Sequence, residues 1–79
     1  MKVRIYTLQK TLFEGEAVET IAKTTTGEIA ILAHHEPLVT ILRPSEVRIK
    51  TEGGGEEAIR IEGGFLEVRP DNSVVILAN

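Results

Sequence analysis

The residues with the most chemical capacity stand together as His34-His35-Glu36, the only place where imidazole and carboxylate adjoin. Such a group can ligate zinc, iron or manganese, or move a proton, when a third or fourth ligand completes it. Both histidines of the chain are already used here and there is no cysteine. Neighbouring residues of an extended chain also point to opposite faces, so only a loop could aim both rings at one ion. The reading that follows is a solvated or interface loop; a small metal-dependent enzyme using His34, His35 and Glu36 is the competing one. The other acidic pairs, Glu14/Glu16 and Glu56-Glu57, suit the solubilising of strand edges. Gly53-Gly54-Gly55 is followed by neither Lys-Ser/Thr nor a helical pattern, so it is a hairpin turn and not a phosphate loop. No serine or threonine sits in a nucleophile-elbow context. The residues imply no catalytic group and no cofactor.

The elements that must position these residues are short and extended. Val3 and Ile5 alternate with Lys2, Arg4 and Tyr6, the period of a half-buried strand. Residues 11–13 read as a short strand before Glu14-Gly15-Glu16. In 17–23 Val18 and either Ile21 or Ala22 are expected to face inward; the alternation slips by one between Val18 and Ile21, which a β-bulge would explain. Three apolar runs, 29–32, 38–42 and 74–78, are strands covered on both faces, or surface left for a partner; in a chain this short both readings stay open. Pro37 belongs at a strand start or an edge. Arg43-Pro44-Ser45-Glu46 and Pro70-Asp71-Asn72-Ser73 read as turns. Gly63-Gly64 implies either a bend inside the fold or the close approach of another backbone.

Turn signals recur every 8 to 12 residues across the 79, and no helical period is sustained. The expected fold is all-β: an antiparallel β-sandwich or flattened barrel, one domain over residues 1–79, with eight or nine strands by this count. Hydrophobic residues make up 42% and charged residues 27%, a globular balance. The formal charge of −3, with no basic stripe, argues against nucleic acid as a partner. No apolar run approaches the ~20 residues of a membrane span, so no direct membrane insertion is expected. The N-terminus shows no leader pattern, which makes a soluble or membrane-peripheral protein the expectation.

Several strings carry more information than the pattern. Thr11-Leu12-Phe13-Glu14-Gly15-Glu16-Ala17, the stretch from Thr26-Gly27-Glu28 through His35-Glu36-Pro37 to Thr40, Ile41-Leu42-Arg43-Pro44, Gly63-Gly64-Phe65-Leu66-Glu67-Val68 and Val74-Val75-Ile76-Leu77-Ala78 run in order along the chain. Together they resemble the N-terminal β-sandwich domain of the ε subunit of F-type ATP synthases. The resemblance implies about ten strands and a non-catalytic rotor part that couples the γ shaft of the central stalk to the membrane proteolipid ring during proton-driven ATP synthesis. The implied partners are the γ subunit and that ring, and the implied location is peripheral, on the cytoplasmic side of a bacterial plasma membrane. Glu28 and the loop His34, His35, Glu36 match the region expected to meet the ring or the foot of the shaft. Leu38 and Val39 are candidates for the γ face.

The chain departs from the family pattern in three ways. Where members carry Pro-Gly-His-Ala-Pro it has Ala33-His34-His35-Glu36-Pro37, so a turn of different shape is expected once His34 replaces a glycine. Lys-Pro-Gly becomes Arg43-Pro44-Ser45. The helical hairpin that usually follows, with its regulatory inhibition, is missing after Asn79, so no self-inhibitory function is expected. The changed loop also motivates an alternative: a free-standing β-sandwich adaptor derived from the family.

Overall fold

The computed structural model describes residues 1–79 and contains strands only. They are β1 (Lys2–Tyr6), β2 (Thr11–Glu16), β3 (Glu19–Thr24), β4 (Gly27–Leu32), β5 (Leu38–Lys50), β6 (Glu56–Arg69) and β7 (Ser73–Ala78). Hydrogen bonding joins them in the order β2-β1-β7-β6-β5-β3-β4. All neighbours are antiparallel except β1 and β7, which run parallel from Lys2↔Ser73 to Tyr6↔Leu77. The sheet is therefore mixed. The first and last strands lie side by side, a long-range pairing that leaves no local signal in the sequence.

The continuous sheet folds over on itself. Val3, Ile5, Leu66, Val74 and Ile76 come from one half of the strand order and Ala22, Ile31, Val47, Ile49 and Ile61 from the other, yet all fall in one buried cluster. The fold line crosses β5 and β6 at a single rung. In β5 the inward positions are Leu38, Thr40 and Leu42, then Ser45, Val47 and Ile49, with Arg43 and Pro44 both exposed at the change of parity. In β6 they are Ile59, Ile61 and Gly63, then Gly64, Leu66 and Val68, with both glycines buried. Strict alternation forbids two adjacent residues on one face. Both strands thus turn over at the rung Leu42↔Gly64 and Pro44↔Glu62, and their halves belong to different layers.

This explains the strand count of seven where about ten short ones were expected. Residues 43–46, read as a turn, lie inside the 13-residue β5, and Gly63-Gly64 lies inside the 14-residue β6. Pro44 is tolerated because it sits at the bend, with no register partner on β3. Gly64 takes φ 139°, and a Cβ there would overlap the Leu77 carbonyl oxygen and meet Ala78 Cα at 2.9 Å. Of the two readings of Gly63-Gly64, the bend with close approach of the chain's own backbone is the one observed.

Layer one comprises β2, β1, β7, residues 64–69 of β6 and 38–42 of β5. Layer two comprises residues 56–62 of β6, 44–50 of β5, then β3 and β4. Of the three apolar runs only β7 is buried on both faces over consecutive residues, Val74 to Ile76, while its Leu77 is half-buried on the outer face. The run at 29–32 is not: β4 is an edge strand, with Ile31 buried but Ala30 and Leu32 exposed. Val18, expected inward, is exposed because it lies in the connection before β3 and donates its N–H to Lys50 O, 2.8 Å. The register slip along β3 lies between Ile21 and Thr24, where β5 turns away, and not between Val18 and Ile21.

Candidate functional site: two unlike outer faces and a tethered loop

The outer face of layer one carries charged pairs, Lys2 and Arg4 with Glu14 and Arg69 with Glu67, but beside them runs a row of apolar side chains that a solvated sheet face does not need. Register places Ile41 opposite Phe65, Phe65 opposite Leu77, and Leu77 opposite Tyr6, so one row of apolar side chains crosses four strands. Val39 lies one outward step away on β5. Val39 is 69% exposed, and Ile41 and Phe65 are each 53% exposed. Leu8, in the β1–β2 turn, is 94% exposed and shares a concavity of about 420 Å³ with Phe65, Leu77, Ala78 and Asn79. Directly opposed side chains on adjacent strands touch, so these residues form one patch and not scattered singles. Of the two candidates for this surface, Val39 lies on it, whereas Leu38 faces inward and is half-buried.

The outer face of layer two is charged. Glu28 on β4 meets Arg48 on β5 at 3.7 Å, and Glu19 on β3 meets Lys50 on β5 at 3.5 Å. Arg60 and Glu62 pair along β6 at 3.2 Å. These groups lie at the surface, exposed or half-buried, so each pair contributes little to stability, on the order of 0–1 kcal/mol. Their effect is to keep this face wet, whereas layer one carries the apolar row beside its own charged pairs.

The histidine loop stands apart from Glu28. Glu28 opens β4, while His34, His35 and Glu36 follow its far end at Leu32, a strand length of roughly 13 Å away by the usual rise per residue. One point contact formed by all four residues is therefore not what the fold presents; they mark the two ends of an edge strand. His34 adopts φ 63°, the left-handed conformation in which a glycine is at ease, so its side chain has not driven the turn out of that region. Its backbone N–H donates to Asn72 Oδ1 at 2.7 Å across 38 residues. Asn72 is itself left-handed, at φ 64°, in the β6–β7 turn. This tether is the feature that sequence reading missed: Asn72 was legible as a turn former, but nothing local marks its partner. His35 Nδ1 donates to Glu36 O at 2.7 Å, and all three side chains are exposed. No three His, Cys, Asp or Glu side chains are grouped to hold a metal ion, so the loop does not assemble the ligand set that the metal-enzyme reading needs. No helix is long and apolar enough to cross a membrane.

The comparisons with known proteins decide the family. Residues 1–79, the whole chain, match the family described as ATP synthase, Delta/Epsilon chain, beta-sandwich domain. The chain belongs to that family. The ATP synthase epsilon chain of Psychrobacter arcticus is 43% identical over 79 residues, covering 100% of this chain and 56% of the relative. That of Brevibacillus brevis is 46% identical over 78 residues, covering 99% and 58%. The chain thus spans little more than half the length of these curated relatives. Among solved structures, the cryo-EM structure of Euglena gracilis mitochondrial ATP synthase, OSCP/F1/c-ring in rotational state 1, contains a chain that superposes with a TM-score of 0.89 at 27% identity, covering 96% of this chain and 48% of that one. A chain in the central stalk/c-ring structure of Tetrahymena thermophila mitochondrial ATP synthase has the same fold, with a TM-score of 0.77 at 21% identity, covering 98% and 61%.

Proposed function

We propose that this β-sandwich is a non-catalytic part of the central stalk of a rotary ATP synthase, coupling the γ shaft to the proteolipid ring during proton-driven ATP synthesis. The observation that carries the reading is the apolar row Ile41, Phe65, Leu77 and Tyr6 on the outer face of layer one, in a chain of this family. A face of that kind is a protein-docking surface, and γ is the partner the family supplies. Glu28 and the His34–Glu36 loop, at the two ends of β4, are the candidates for contact with the ring or the foot of the shaft. The resulting location is peripheral, on the cytoplasmic side of the membrane that holds the ring.

Calorimetric titration of the 79-residue chain into a purified γ subunit tests this. One-to-one binding at micromolar affinity or tighter is expected, with the negative heat-capacity change of apolar burial. A folded chain that fails to bind at tens of micromolar would instead support the free-standing adaptor.

A further inference from the structure

We infer that layer two carries a site for a phosphate group, in the concavity between β3 and the bend of β5. Its origin is geometric. Ile21 pairs with Arg48 and Thr24 with Leu42, so three steps along β3 are matched by six along β5. Residues 43–47 of β5 have no register partner on β3, and the strand arches away from it. The gap is a cavity of about 470 Å³ lined by Lys23, Glu28, Arg43, Pro44, Ser45, Glu46, Arg48 and Arg60, with no hydrophobic residue among them. Ser45 is 6% exposed and its hydroxyl donates to Arg43 O at 2.9 Å, which braces the arch.

Charge gives the gap its ligand preference. Four cations and two carboxylates line it, in a chain whose formal charge is −3. Arg48 is engaged by Glu28 and Arg60 by Glu62, which lies outside the lining. Lys23 and Arg43 have no carboxylate within ion-pair distance. They stand on different strands on either side of the gap, and a second, smaller concavity is lined by Lys23, Gly27, Glu28 and Arg43. Glu46 is likewise unpaired, so the lining keeps two free cations against one free carboxylate, with two neutralised arginines beside them; this net positive, polar hollow suits a compact oxyanion that takes charge-assisted hydrogen bonds from several directions. An extended acidic peptide would want an apolar grip for its side chains, and the lining has none. The arch also leaves one side of the β5 backbone without a strand partner at this point, free to bond to a ligand or water. The ligand class is therefore a phosphate, free or in a lipid headgroup. The inference stands on the cavity alone and does not depend on the proposed place in the rotor.

The test is a titration of the isotopically labelled chain with pyrophosphate at low salt, following backbone amides by NMR. Saturable shifts confined to Lys23, Arg43, Ser45, Glu46, Arg48 and Arg60 are expected. The charge reversal K23E/R43E, at two exposed positions, should weaken binding by about tenfold or more, whereas K2E on layer one should leave it unchanged. Sedimentation with phosphatidylglycerol or phosphatidylcholine vesicles separates the sources. Binding to phosphatidylglycerol alone, lost in K23E/R43E and displaced by pyrophosphate, assigns the site to a lipid headgroup; saturation by pyrophosphate without vesicle binding assigns it to free phosphate. Shifts that rise without saturating, that spread over every lysine and arginine, or that persist in K23E/R43E would overturn the site.

Discussion

Replacing Gly64 by alanine tests whether the bend is what makes this fold possible. Two costs act there. The backbone is at φ 139°, a region that residues with a Cβ adopt only at about 1–3 kcal/mol. The new methyl would also overlap the Leu77 carbonyl oxygen and press on Ala78 Cα. Neither atom belongs to a flexible side-chain end. β7 is hydrogen-bonded on both sides, to β6 and to β1, so it cannot retreat without breaking a ladder. Overpacking of this kind costs about 1–3 kcal/mol or more. The sum, about 2–6 kcal/mol, is set against the ~4–12 kcal/mol that typical stability per residue gives a 79-residue chain. At about 4–8 °C per kcal/mol, the melting temperature should fall by roughly 10–50 °C. Gly54→Ala supplies the control. Its φ is 91° but a Cβ would meet nothing within 4 Å, so only the conformational cost of about 1–2 kcal/mol applies. Thermal and urea denaturation of both variants, followed by far-UV circular dichroism, gives the comparison. A Gly64→Ala variant that never folds is the limiting form of the expected result. One within about 1 kcal/mol of Gly54→Ala would refute the argument that backbone collision at the corner dominates.

Four further outcomes follow from the same geometry. Thr20 is fully buried and its hydroxyl has no hydrogen-bond partner; Thr20→Val, close in shape, should raise stability by about 1 kcal/mol in urea denaturation. Asn72→Ala removes the acceptor for the His34 N–H and a residue tolerant of left-handed backbone; a loss of about 1–2 kcal/mol is expected, with faster hydrogen exchange at the His34 amide. Phe65→Glu puts a charge in the centre of the apolar row, so it should leave the fold intact and weaken γ binding by about 2 kcal/mol or more, roughly thirtyfold in Kd by calorimetry. Glu28→Lys with His35→Ala changes only exposed side chains and should shift stability by no more than about 0.5 kcal/mol, while reducing ATP-driven proton pumping in reconstituted membranes.

The sequence carried the strands well wherever burial alternated, as at Val3 and Ile5, and wherever turn residues bounded a strand, as at Pro37 before β5 or residues 53–55 after it. It failed where the chain bends without stopping. Pro44 and Gly63-Gly64 have the composition of turns, but a change of inward parity inside a continuous strand uses the same residues, and only the partner strand tells the two apart. The pairing of β1 with β7 was invisible for the same reason: it depends on which strands meet, not on what either contains. Hydrophobicity alone also misplaced β4, because an edge strand can carry as apolar a run as a central one. The candidate site was half legible. Motif strings led to Glu28, His35 and Val39. The row Ile41, Phe65, Leu77 and Tyr6 needed register, and the cations around the β5 arch needed residues 43–47 of β5 to leave β3.

The bend that defeats sequence reading also creates the division of labour between the two faces. Because β5 and β6 each serve both layers, Val39 and Ile41 on one outer face and Glu46 and Arg48 on the other belong to one strand, joined through Arg43 and Pro44. A load applied to one face reaches the other along two continuous backbones, and the inward side chains of both layers share one buried cluster. Close-packed interiors yield little, so two partners held on opposite faces would keep a fixed orientation to each other. The proposed role as a link between a shaft and a ring requires that property. Two sheets built from separate strands would rely on side-chain packing alone to resist shear. In this chain, the covalent corner at Gly63 and Gly64 resists it directly, which is why Gly64→Ala should weaken coupling even where some folded protein survives.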